Sequence, residues 1–281
     1  MHVSSRRTSP SEQSKILAHY ERVAPLIVAN FPNAPLIVAY YINGLGNDPT
    51  FSHAWHEPLP HSIPSVTCAT NSVPHVYPAC AENTILWLVH RNAVGMLSWT
   101  PSPKDPEAVG FARILFRPVG GATQTLLKEA LLALRTALFE HGLEAIPLLE
   151  GIDSAALFIP LADAPMYDVV RAWLHQLVNH AIERHPTLLV HEAHPHEQHN
   201  APRIECTAVS NAVGHFSRLP YSLAGMPDLP MVTPFDWTEL GTLENGHITA
   251  ANAHHRLAKG DIFATLAAEL AHQRFADAAR Q

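Results

Sequence analysis

The sequence predicts an α+β protein, with mixed or antiparallel sheets flanked by helices. Helical and β-rich runs intermix without the strict alternation of a parallel α/β fold, and no internal repeat is present. With 281 residues, 47% of them hydrophobic, the chain can bury the core of one large domain or of two closely packed lobes.

Taken in order, "KILAHYERVAPLIVANF" places Ile16, Leu17, Tyr20, Val23 and Ala24 at helical spacing until Pro25, which is expected to interrupt the helix. "PLIVAYYI" (35–42) is β-rich, and residues 43–82, full of Pro, Gly, Asn and His, read as irregular chain with small strands. "ENTILWLVHRN" has one apolar helical face and ends at Asn92, which tolerates the left-handed conformation. "AVGMLSW" and "RILF" (113–116) are strands, "GG" is a turn, and "ATQTLLKEALLALRTALFEHG" is a helix with Leu127, Leu131, Leu134 and Leu138 inward. "EAIPLLEG" and "SAALFIPL" form a strand pair around residues 151–154. "YDVVRAWLHQLVNHAIERHP" is an amphipathic helix stopped by Pro186, "RIECTAV" is a strand, and "GDIFATLAAELAHQRFADAAR" is helical. Residues 1–13 read as a flexible lead into a domain spanning 14–281.

Composition narrows the function. No apolar run nears the roughly 20 residues of a membrane helix, and the N-terminus lacks a secretory apolar core, so no membrane is expected and the cytoplasm is the expected address. Cys68, Cys80 and Cys206 have unrelated spacings, which suits reduced, buried thiols. The net charge of −7 and the scattered lysines Lys15, Lys104, Lys128 and Lys259 weigh against a generic nucleic-acid binder. The 20 histidines make the surface charge sensitive to pH.

Four phrases in order, "HYERVAP", "RIECTAVSN…RLPYSL", "MVTPFDWTEL" and "HHRLAKGDIFATL", resemble the polymerase domain of bacterial ligase D, of the archaeo-eukaryotic primase superfamily. The resemblance runs from about Ser14 to the C-terminus. It implies a two-lobed primase-polymerase fold that, in active members, adds nucleotides to DNA ends during non-homologous end joining. Metal-assisted phosphoryl transfer of that kind needs hard oxygen ligands for Mg²⁺ or Mn²⁺.

This chain departs from the family at those ligands. The family's first strand ends in Asp-x-Asp followed by proline, and Phe116-Arg117-Pro118 stands there. Thr207 falls on the third aspartate. In the triphosphate pocket, Leu148 stands for a lysine, Glu150 for a serine and Ala156 for a histidine. After "PYSL", Ala224 and Met226 replace arginines, and Gln13 lies nearest the place of the phosphate-binding lysine of the first helix. No cofactor is therefore expected, with Mn²⁺ or Mg²⁺ implied only for a chain that keeps activity.

Several residues remain as candidates. Glu205 lies two residues before Thr207 and shares its strand face, so Glu205 with Glu150 and Asp153 could form a relocated carboxylate site. Arg117, Arg203 and Arg218 could hold a phosphate through guanidinium forks, and Tyr221 and Ser222 keep the family's nucleotide-site wording. His191, His194, His196 and His199 could bind Zn²⁺ or Ni²⁺, although their spacing fits no closed site and a solvated loop is the plainer reading. Trp87, Trp99, Trp173 and Trp237 sit among apolar residues, as core tryptophans do.

The reading is a stand-alone ligase D polymerase-like domain without its catalytic residues, with ancestry in DNA end repair. DNA ends, a Ku-like protein or a ligase are its expected partners. Two alternatives stay open: an active nucleotidyltransferase using the relocated carboxylates, and a non-catalytic DNA-end or nucleotide-binding accessory protein.

Overall fold

A computed structural model describes residues 9–52, 55, 58–70, 73–191 and 201–280. Its first helix, α1 (Pro10–Asn30), starts four residues ahead of Ser14, because Ser9 and Glu12 form a reciprocal capping box and Pro10 occupies the first turn. The helix also runs through Pro25, contrary to the expected interruption. Pro25 and Glu21 are exposed, so water can reach the carbonyl that Pro25 leaves unbonded, while Tyr20, Val23, Ala24 and Ile27 stay buried on the core side. That burial offsets a proline cost of about 3 kcal/mol.

β1 (Ile37–Tyr40) pairs antiparallel with β2 (Thr50–Ser52), and β3 (Ser65–Thr70) pairs with β4 (Val73–Pro78) within the stretch expected to hold small strands. After α2 (Glu82–His90), β5 (Gly95–Ser98) returns to β1. A short hairpin of β6 (Pro101–Ser102) and β7 (Asp105–Val109), absent from the sequence reading, leads into β8 (Phe111–Val119). β8 is longer than "RILF" because both of its edges are paired. α3 (Gln124–Phe139), capped by Thr123, precedes the hairpin of β9 (Ile146–Leu149) and β10 (Ala155–Pro160), which turns at Gly151 with φ +86°. α4 (Tyr167–Arg184) and β11 (Leu189–His191) follow, and β11 pairs parallel with β12 (Arg203–Thr207).

The last strands are β13 (Ser217–Arg218), on β5, and β14 (Thr233–Pro234), on β9. The main sheet therefore reads β11-β12-β8-β10-β9-β14 and the smaller one β13-β5-β1-β2. α5 (Ala253–Leu257), α6 (Ile262–Glu269) and α7 (Phe275–Ala278) close the chain. The tail is broken rather than continuously helical because Gln273 docks on the sheet, its amide donating to the Glu144 carbonyl at 3.0 Å and accepting from Glu144 N at 2.5 Å. Asp163 then caps α7 through Phe275 N and Ala276 N.

The two faces of the main sheet carry different loads. Ala112, Ile114 and Phe116 are buried on the side covered by α3 and α4. Arg113, Leu115 and Arg117 point to the other side, toward the small sheet, where Arg113 is fully buried. Its guanidinium donates to the Ser98 carbonyl and Ser217 Oγ of the small sheet and to the carbonyls of Ser210 and His215. Phe263 of α6 joins Phe31, Phe111 and Phe158 in tilted and edge-on contacts. All three cysteines are free and buried, and burial pushes the Cys80 thiol up to about 12. Among the described residues, no helix is long and apolar enough to cross a membrane.

Candidate functional site

An Asp-x-Asp ahead of Pro118 would set its carboxylates at positions 115 and 117, on the β8 face that looks toward the small sheet. Leu115 and Arg117 occupy those places, whereas Phe116 points the opposite way into the core. The sequence reading named Phe116 and Arg117 and missed Leu115; the period of two in a strand is the signal that identifies it.

Register carries the comparison across the sheet. Leu115 pairs with Thr207 on one side and Ala156 on the other, Ala156 pairs with Leu148, and Leu148 pairs with Pro234. This row holds one hydroxyl and four apolar side chains. The hydroxyl is itself engaged, since Thr207 Oγ1 accepts from Val209 N at 3.2 Å. Leu148 and Ala156, which the resemblance aligns with the family's lysine and histidine, are fully buried in the core.

One step along, Arg117 stands directly opposite Glu205. Its Nε and Nη2 both donate to Glu205 Oε2, at 2.8 and 2.5 Å. Glu205 is 4% exposed and Arg117 60%, so the guanidinium lies over a carboxylate sunk in the sheet surface. Glu150 is buried at the end of β9 and accepts from Ser154 Oγ at 3.2 Å, while Asp153 lies exposed in the turn. The structure thus brings Glu205 to Arg117 and not to a carboxylate cluster. Among the described residues, no group of three or more His, Cys, Asp and Glu could hold a metal ion. The Mg²⁺ or Mn²⁺ implied by the resemblance does not fit these side chains, because the position facing Glu205 is already cationic.

The other candidates separate. Tyr221 and Ser222 are buried and used by the fold: Tyr221 OH donates to Asp261 Oδ1 at 2.6 Å and accepts from Phe263 N, and Ser222 Oγ accepts from Met96 N at 2.7 Å. Both side chains are thus bonded within the fold. Arg203 shares the face of Glu205, two residues along β12, and Arg218 lies on the small sheet; both are half-buried, with their Nε atoms unbonded among the described residues. His191 is exposed at the end of β11, and His194, His196 and His199 lie outside the described residues. Trp99 is fully buried as expected. Trp87 is half-buried, with the Arg91 guanidinium 5.0 Å from its ring centre.

At the first helix, Gln13 Nε2 donates to the Val89 carbonyl at 2.6 Å, turning into α2. Lys15 instead lines an open pocket of about 260 Å³ with Pro227, Asp228, Leu229 and Thr249. Near Ala224 and Met226, the Tyr41 ring lies against Gly225 so closely that a Cβ there would overlap it, and Tyr41 OH accepts from Gly225 N. The Tyr41 ring thus covers the backbone between Ala224 and Met226, the places the resemblance assigns to the family's arginines.

A family model described as LigD, primase-polymerase domain, matches residues 13–263. Among solved structures, the polymerase domain from Mycobacterium tuberculosis ligase D in complex with DNA is similar, with a TM-score of 0.81 and 19% sequence identity, over 92% of this chain and 93% of that one. At that identity the likeness speaks for the fold. No curated protein matches the chain. With the family match spanning most of its length, and the two sheets and their connecting helices arranged as in that solved domain, this chain belongs to the LigD primase-polymerase domain family.

Proposed function

We propose that this protein is a catalytically inactive homologue of the ligase D polymerase domain that works as a binding module in DNA end repair. The Arg117–Glu205 ion pair carries the reading: it sets a guanidinium where metal-dependent nucleotide transfer needs a second carboxylate. The apolar row of Leu115, Ala156 and Leu148 supports it, since none of these can ligate a cation or contact a triphosphate. The solved neighbour's complex with DNA makes a DNA end the first ligand to try, and a Ku-like protein or a ligase the first protein partner.

Fluorescence polarisation with a 5′-phosphorylated, recessed DNA end tests this, at low and high salt and at pH 6 and pH 8, with and without Mn²⁺ and NTP. Binding should weaken with salt as counterions are released, and should ignore metal and nucleotide. Binding that tightens when Mn²⁺ and NTP are added would overturn the reading. No binding at either pH would remove the DNA end as ligand and leave the protein partner.

A further inference from the structure

We infer that the Arg117 guanidinium is the resident cation of this sheet face, supplying the charge that buried Glu205 requires and excluding a divalent ion from it. The inference rests on the non-catalytic reading above and names what holds the site in that state.

Burying a carboxylate as deeply as Glu205 is costly unless a cation or hydrogen bonds compensate it. Arg117 faces it across an antiparallel pair, so the contact follows from strand register and not from a loop that can swing away. Both bonds fall on one carboxylate oxygen, and both are charge-assisted. Arg113 lies four residues earlier on the same face, so a divalent ion at the Leu115–Thr207 row would sit between two guanidinium groups. Two further oxygens already accept hydrogen bonds: Thr207 Oγ1 from Val209 N, and Glu150 Oε2 from Ser154 Oγ.

Titration with Mn²⁺ followed by the EPR signal of the free ion, together with thermal melts in Mn²⁺ and in EDTA, tests the inference on the whole chain. Wild type and Glu205→Gln should bind the same amount of Mn²⁺, so that any uptake lies elsewhere, and wild-type melts in Mn²⁺ and EDTA should superimpose. Arg117→Ala should melt about 2–4 °C lower than wild type, and Arg117→Ala/Glu205→Gln should regain part of that loss. Arg117→Lys, which keeps the charge without the fork, should fall between and serves if the alanine variant does not fold.

Mn²⁺ uptake by wild type that Glu205→Gln abolishes would overturn the inference, as would an Arg117→Ala melt equal to wild type. Nucleotide incorporation by wild type would instead sink the non-catalytic reading. Mn²⁺ uptake at Glu205 without incorporation would sink this inference alone.

Discussion

Two regions that carry the family's sequence features behave in opposite ways. From Ser210 to Leu223 the wording is retained, and the side chains are spent inside the fold: Asn211 clamps both backbone groups of Arg113, Tyr221 ties down the start of α6, and Ser222 caps Met96 N. At the end of β8 and along β9 and β10 the resemblance marks changed positions: Leu148, Glu150 and Ala156 are buried, Leu115 is half-buried, and Arg117 is exposed over Glu205. The chain folds without a carboxylate at 117, whereas Asn211 holds both backbone groups of a fully buried strand residue. A retained phrase in this chain therefore marks architecture, and only the changed positions speak to chemistry.

The sharpest way to break this contrast is Asn211→Leu. It strips Arg113 N and Arg113 O of their partners at 2.8 and 2.6 Å in a fully buried setting, and should cost about 4 kcal/mol in urea unfolding. A loss below about 1 kcal/mol would show that the clamp is dispensable.

His19 tests the same region by pH. It is buried, with Nε2 2.8 Å from the Tyr221 carbonyl, and burial lowers its pKa from 6.5 to about 4. As pH falls, the unfolded chain takes up this proton first, so stability present above about pH 6.5 is lost on the way to pH 4, by on the order of 3 kcal/mol. His19→Gln should lack this component, so that its stability falls less steeply than wild type over that window. Parallel curves would contradict the assignment.

Tyr221→Phe, which removes the hydroxyl bonds to Asp261 and Phe263 N, should cost about 1.5 kcal/mol without altering DNA binding. The smallest effect belongs to the changed region. Arg117→Ala should cost about 1 kcal/mol, a figure discounted for the exposure of the arginine.

Much of the fold was legible in the sequence, because long amphipathic helices and ordered family phrases are local features. Pro25 misled, since its cost depends on whether the freed carbonyl reaches water, which only the packed helix decides. The broken C-terminal tail was hidden for a similar reason: Gln273 ends the helix by docking on Glu144, far away in sequence. The site was half legible. Loss of the carboxylates could be read by counting from Pro118, but the facing of Arg117 and Glu205 depends on the β8–β12 register, which no spacing within either strand encodes. Tyr221 and Ser222 keep the family's wording, but the bonds that hold them to Asp261, Phe263 N and Met96 N join positions distant in sequence and could not be read from it.

The most direct measurement is primer extension by the wild-type chain on a gapped, 5′-phosphorylated template with Mn²⁺ or Mg²⁺ and all NTPs and dNTPs, alongside Glu205→Gln. The account predicts no extension by either protein above the protein-free control. Metal-dependent extension by wild type that disappears in Glu205→Gln would contradict it, and would make Glu205 a working metal ligand after all.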